Sequence, residues 1–191
     1  MLTKLEIIND MLASVGTAAL SSSNTMHPSY SKANLKLAKE SRLMQGLGWW
    51  FNKFTRTARP NAKGEIVLPA NALHADPLDT STGYVVRGGK LFDPATFSFS
   101  IGTDVVLRYV ENVAIEDLPP TAAAYLQARA VYAFYVDSNG GDPKLGEYRT
   151  AMVSAWGFVR QEDLRNKDLN IFDGQSMQQF RRVPGAYRLP R

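Results

Sequence analysis

The sequence predicts an α+β fold: a helical bundle interrupted by a small antiparallel β lobe and followed by an extended C-terminal arm. Three observations predict it. Apolar residues recur at helical spacing near the N-terminus and again in the last third, the middle alternates short β-rich runs with turn residues, and the final stretch shows neither pattern. A chain of 191 residues with 45% hydrophobic and 21% charged residues is long enough to bury a core of its own.

The first helix is expected from about Thr3 to Val15. Leu5, Ile8, Leu12 and Val15 share a face, Thr3 can cap, and Gly16 can end the turn. "TAALSSSNTMHPSY" then reads as a loop, and a second helix is expected from Ser31 or Lys32 to about Gln45. Leu35, Ala38, Arg42 and Gln45 define one ridge of that helix, Leu43 and Leu47 extend its apolar side, and Gly46 and Gly48 stop it. These helices make residues 1–48 the N-terminal part of the bundle.

Residues 49–114 are expected to form the inserted β-rich lobe. "EIVLP", "GYVVRGGKLFD" and "TDVVLRYVEN" read as strands, and Gly88-Gly89 between two apolar runs predicts a tight hairpin, because both residues reach positive φ without strain. Residues 115–168 return to helix. "EDLPPTAAAYLQARAVYAFYVDS" opens on acids and prolines, which suit a helix start, and places Leu126, Ala130, Ala133 and Phe134 on one face. A further helix is expected from about Pro143 to Asn166, with Met152, Ala155, Trp156 and Val159 on its buried side. In the arm, 169–191, the aromatics Phe172, Phe180 and Tyr187 are spaced between Gly, Pro and Gln. Arg181, Arg182, Arg188 and Arg191 also lie there, so this segment has the composition of an arm that orders against another surface.

Composition narrows the chemistry. There is no cysteine, which removes disulfides, thiolate metal sites and cysteine nucleophiles. The histidines, His27 and His74, lack ligand spacing; His74 and its neighbours Asp76 and Asp79 read as a solvated turn, so no metal and no cofactor are expected. "RGGK" joins two strands instead of feeding a helix, as a phosphate loop would. No apolar run is long enough to span a bilayer, so membrane insertion is not expected, and the charged amphipathic N-terminus predicts a cytoplasmic chain without export. A net charge of +4 allows transient, sequence-independent contact with DNA but not a dedicated grip on it. Glycoside hydrolysis needs a pair of carboxylates roughly 5 to 9 Å apart, and Asp76, Asp79, Glu111, Glu116 and Asp117 are its candidates.

"GLGWWFNKFTR" concentrates aromatic residues. Read as an extended strand, it puts Trp49, Phe51 and Thr55 on one side and Trp50, Asn52 and Phe54 on the other. The expectation is a core seam at Trp49, Trp50 and Phe51, joining the helices to the β lobe, in preference to a stacking platform for nucleic acid. Tyr125, Tyr132, Tyr135 and Tyr148 carry more aromatic surface than a small bundle readily hides, which marks them as interface candidates together with the aromatics and arginines of the arm.

"GLGWWFN", "LPANALHAD", "YVVRGGKLFD", "EDLPPTAAAYLQARAVYAFY" and "NIFDG" follow one another in an order and spacing that resemble the tail tubular protein A family of short-tailed bacteriophages, from Leu5 to about Gly174. The resemblance implies a structural virion protein, assembled in the host cytoplasm and resident in the virion tail. It implies a ring, a dodecamer, between the portal protein and the tail nozzle protein (tail tubular protein B), acting as adaptor and gatekeeper around the channel through which the genome is ejected. Some members of the family have been ascribed a glycan-degrading activity, so a hydrolase acting on host surface polysaccharide is the alternative that the resemblance leaves open.

Overall fold

The structure, a computed structural model, describes residues 2–22, 28–140 and 142–167. Among them are four α-helices and five strands in a mixed α+β arrangement: α1 (Lys4–Ser14), α2 (Pro28–Gln45), β1 (Lys53–Ala58), β2 (Ala72–Pro77), β3 (Val85–Arg87), β4 (Lys90–Phe92), β5 (Val105–Glu111), α3 (Pro120–Asn139) and α4 (Leu145–Asn166). None of these helices is long and apolar enough to cross a membrane.

Helix α1 starts on a full capping box. Thr3 Oγ1 accepts from the Glu6 amide at 3.3 Å, and the Glu6 carboxylate accepts from the Thr3 amide at 2.6 Å and from the Thr3 hydroxyl at 2.8 Å, two bonds that hold the Glu6 carboxyl below its ordinary pKa. Its inner face, Ile7, Ile8, Met11 and Leu12, is fully buried against α2 and α3. Helix α3 begins at the expected Pro119-Pro120 and buries Ala122, Ala123, Leu126, Ala130 and Phe134. Its small side chains let α1 and α2 approach closely. Helix α4 lies along α3, pairing Trp156 with Tyr125 at 5.1 Å between ring centroids and Tyr148 with Tyr135 at 4.8 Å.

Helix α2 departs from expectation. It buries Tyr30, Ala33, Leu37, Glu40, Ser41, Met44 and Gln45, whereas Leu35, Leu43 and Leu47 are 72%, 50% and 59% exposed. The leucine ridge was expected inside. The groove between α1 and α3 instead receives the row that carries Tyr30, Leu37 and Met44, and the polar groups buried with that row have partners. Glu40 accepts from Arg129 Nε at 2.8 Å, and Lys36 bridges to Asp137 at 2.7 Å. Burial opposes charge on Arg129, but the Tyr125 hydroxyl and Glu40 carboxylate outweigh it and raise the guanidinium above its ordinary value.

The β lobe has its own core of Ala58, Ile66, Ala75, Leu91, Val105, Leu107 and Tyr109. The main sheet is antiparallel with order β1-β5-β2, and the central β5 alternates buried Val105, Leu107 and Tyr109 with exposed Val106 and Arg108. The β3–β4 hairpin turns as expected at Gly88 (φ 58°) and Gly89 (φ 72°). Two readings of the middle are corrected. "EIVLP" forms only isolated bridges through Glu65 and Val67, and "NALHADP", expected as a turn around His74, is the edge strand β2.

Candidate assembly interface

The aromatic knot is a turn, not the strand expected from its alternation. Helix α2 ends in Gly46-Leu47-Gly48, residues 50–52 turn, and β1 begins only at Lys53. Gly48 sits at φ 73°, and a Cβ there would lie 3.1 Å from a methyl of Val110, so the helix can leave this close to the sheet only at glycine. Trp49, 3% exposed, donates its indole N–H to the Met44 carbonyl at 2.8 Å and meets Trp156 edge-on at 5.2 Å. Trp50 and Phe51 are half-buried and rest on the helical cluster as well; Phe54 is the first aromatic to face the β core, stacked on Tyr109 at 5.8 Å.

Two buried amides bind the halves together. Asn52 Oδ1 accepts from the Trp49 amide at 2.8 Å, while its Nδ2 donates to the carbonyls of Gln45 at 2.9 Å and Glu111 at 2.8 Å. Gln45 Nε2 donates to the Val113 carbonyl at 2.9 Å and its Oε1 accepts from the Val113 amide at 2.7 Å. On the α4 side, Asp163, 2% exposed, accepts from the Trp50 amide at 3.1 Å and from Lys167 at 2.5 Å. The result is a cross-braced joint among α2, α4 and the end of β5.

The candidate acids do not form one catalytic cleft. Asp76 and Asp79 share an open pocket of about 430 Å³ with Tyr84 and Arg108; Glu111, Glu116 and Asp117 lie outside it. Asp76 is 2.8 Å from His74 Nε2. Asp79 caps a short 3₁₀ turn, accepting from the Ser81 hydroxyl at 2.6 Å and the Ser81 amide at 2.9 Å, which lower its pKa. That is the opposite of the raised value a general acid needs. Among the described residues no group of three or more His, Asp or Glu is arranged to hold a metal.

Exposed apolar side chains occur on the β lobe, at Val67, Leu78, Val85, Val86, Phe97 and Val106, and on the helices. Helix α4 buries only Val159 and Asp163 and leaves Val153, Phe158 and Leu164 at 56%, 65% and 46% exposure. At 3.6 residues per turn, Val153 and Leu164 project within about 20° of each other, and Phe158 points about 140° away from Val153. Val153 also lines an apolar notch of about 220 Å³ with Leu47, Tyr125, Met152 and Trp156, next to the exposed ridge of α2.

A family model described as "Tail tubular protein" matches residues 5–178. The chain belongs to the tail tubular protein family. It is 29% identical over 180 residues to tail tubular protein A of Klebsiella phage KP34, an alignment covering 94% of this chain and 97% of that one. Membership makes it a structural protein of a bacteriophage tail, working within an assembly of virion proteins.

In this tail tubular protein the residues singled out from sequence fall into distinct settings. Tyr125 and Tyr135 are buried inside the subunit, and Tyr132 and Tyr148 are half-buried. Phe172, Phe180, Arg181, Arg182, Tyr187, Arg188 and Arg191 lie outside the described residues, as does His27. Sequence reasoning missed Phe158, Val153, Leu164 and the outward leucines of α2. Their signal was present in α4, whose apolar residues occupy more of the helix circumference than one buried face requires. Phe97, 80% exposed at φ 54° on the loop after β4, was missed too.

Proposed function

We propose that this protein is a ring-forming adaptor that joins the portal to the tail nozzle and lines part of the channel for genome ejection. The observation that carries the proposal is the pair of unlike apolar faces on α4, Phe158 on one flank and Val153 with Leu164 on the other. A subunit with two different adhesive faces makes head-to-tail contacts, and such contacts close into a ring when the rotation between neighbours is right. The dodecamer is taken from the family resemblance.

In this reading the helices of 1–48 and 115–168 form the ring body, the 49–114 lobe reaches the next tail component, and the 169–191 arm reaches a neighbour or the portal. Tyr132 and Tyr148 sit at the edge of the contact. Tyr125 and Tyr135 support it from within. The cross-braced joint would hold the lobe at a fixed angle to the body. The mild positive charge suits a channel wall that touches DNA transiently without gripping it.

Sedimentation and electron micrographs of the purified protein, alone and with portal, test this. The unmodified chain should form closed rings, and Phe158→Asp or Val153→Asp should each leave subunits that cannot extend. Mixing the two variants should restore one contact and stop at pairs, the mark of unlike faces. A monomer that neither portal nor nozzle recruits would refute the adaptor reading. Glycan hydrolysis draws no support from the acid geometry, and release of reducing ends from host polysaccharide, abolished by Asp76→Asn, would reinstate it.

A further inference from the structure

The two flanks of α4 that carry Val153 and Phe158 differ in charge as well as in shape. At 3.6 residues per turn, Arg149 and Arg160 project within about 40° of Val153, and Glu147 and Glu162 within about 40° of Phe158. Glu147, Arg149 and Arg160 are exposed and Glu162 is half-buried. None of the four enters an ion pair among the described residues. Glu162 accepts from the Thr121 hydroxyl, and the Arg160 guanidinium lies 5.7 Å from the centre of the Trp156 ring.

We infer that α4 of one copy stands parallel to α4 of the next, with the side bearing Glu147, Phe158 and Glu162 against the neighbour's Arg149, Arg160 and apolar notch. This rests on the ring reading above and specifies its contact. Copies in a ring are related by rotation about its axis, so a helix running along that axis stays level with its neighbour's. At 1.5 Å per residue, Glu147 is then within about 3 Å of the height of Arg149, Glu162 of Arg160, and Phe158 of Trp156. Both ion pairs and the aromatic contact thus form in one register. The notch, about 220 Å³, has room for a phenyl ring, since an apolar cavity of about 150 Å³ admits benzene. Arg129 also lines it and supplies a cation beside the incoming ring. Arg165, on the acidic side, comes level with Lys167, which is already paired with Asp163. A twofold contact is disfavoured, because it would set each side against itself, acid on acid. Packed helices lie about 8 to 10 Å apart, closer than two whole subunits can stand, so α4 belongs on the inner wall of the ring. The side it turns to the channel, Gly146, Thr150, Ser154, Gly157 and Gln161, is exposed and carries no charge.

Charge reversal and cross-linking in the full chain, alone and with portal, test the contact. Glu147→Arg with Glu162→Arg should raise the concentration at which rings form by about tenfold or more, since like charges then meet, and so should Arg149→Glu with Arg160→Glu. Mixing those two proteins, or combining all four changes in one chain, should restore rings. Melting temperatures of the dilute variants should match the parent's. The chain has no cysteine, so Arg160→Cys with Glu162→Cys gives a clean second readout. These positions project about 160° apart on one helix and can join only between copies. Oxidised rings should run as covalent ladders on denaturing gels. Rings that form from the reversed proteins as readily as from the parent, or that give no ladder, would overturn this contact and leave the ring reading standing. Failure to form rings even with portal would overturn both.

Discussion

Asn52 offers the sharpest test of how the two halves are held. Its side chain is 1% exposed and serves three backbone groups, the Trp49 amide and the carbonyls of Gln45 and Glu111. In Asn52→Ala the Trp49 amide becomes a buried donor without that acceptor, costing about 1 to 3 kcal/mol, and each carbonyl loses a bond worth about 0.5 to 1.5 kcal/mol. The sum is about 2 to 6 kcal/mol. At about 2 to 4 °C per kcal/mol for a chain of this size, a mid-range loss of about 4 kcal/mol lowers the melting temperature by about 8 to 16 °C. Asn52→Asp sharpens the diagnosis. It keeps the acceptor for Trp49 but turns carboxylate oxygens toward two carbonyls, so burial and those carbonyls raise the folded pKa of the new acid above its unfolded value. Its penalty is therefore smallest below the unfolded pKa, about 3.9, and grows as pH rises through the folded value. Circular-dichroism melts at fixed low concentration, which keep assembly from contributing, measure both variants. An Asn52→Ala protein within about 0.5 kcal/mol of the parent, a change typical of ordinary surface sites, would refute the reasoning.

Trp49→Ala should cost about 3 to 5 kcal/mol, as expected for a fully buried large ring, while the half-buried Trp50 should cost about half of that; equal losses would contradict their different burial. In the β lobe, Lys90 Nζ lies 3.0 and 2.9 Å from the two carboxylate oxygens of Glu65, and this bonding, followed by that from Asn61, lowers the acid's pKa. A lowered folded value contributes stability that is present above the unfolded pKa and lost as pH falls through the folded one. Glu65→Gln should therefore melt lower than the parent at neutral pH and converge with it in acid, and parallel melting curves across that range would show the pair to be inert.

Much of the architecture was legible where local chemistry is self-sufficient. The Thr3 cap, the Gly88-Gly89 turn and the Pro119-Pro120 start each act through a few adjacent residues, and each appears where the sequence places it. Where tertiary neighbours decide, the sequence misled. The orientation of α2 depends on the tight alanine surface of α3 and on Arg129 reaching Glu40, so Leu37 and Met44 are buried while the more obvious Leu35, Leu43 and Leu47 are not. Strand β2 was hidden because an edge strand with one solvent face can carry His74, Asp76 and a terminal Pro77. The tyrosines looked superfluous to a small core only because sequence cannot show that α4 lies on α3, covering Tyr125 with Trp156 and Tyr135 with Tyr148.

The amides of Gln45 and Asn52, and the carboxylate of Asp163, grasp main-chain atoms at residues 49, 50, 111 and 113 and ignore what those residues carry. A splice of this kind is blind to side-chain identity on its receiving side. Outward-facing side chains of the lobe can diversify to meet a different neighbour without changing the angle at which they are presented. Substitution at Gln45 or Asn52 themselves has no such freedom.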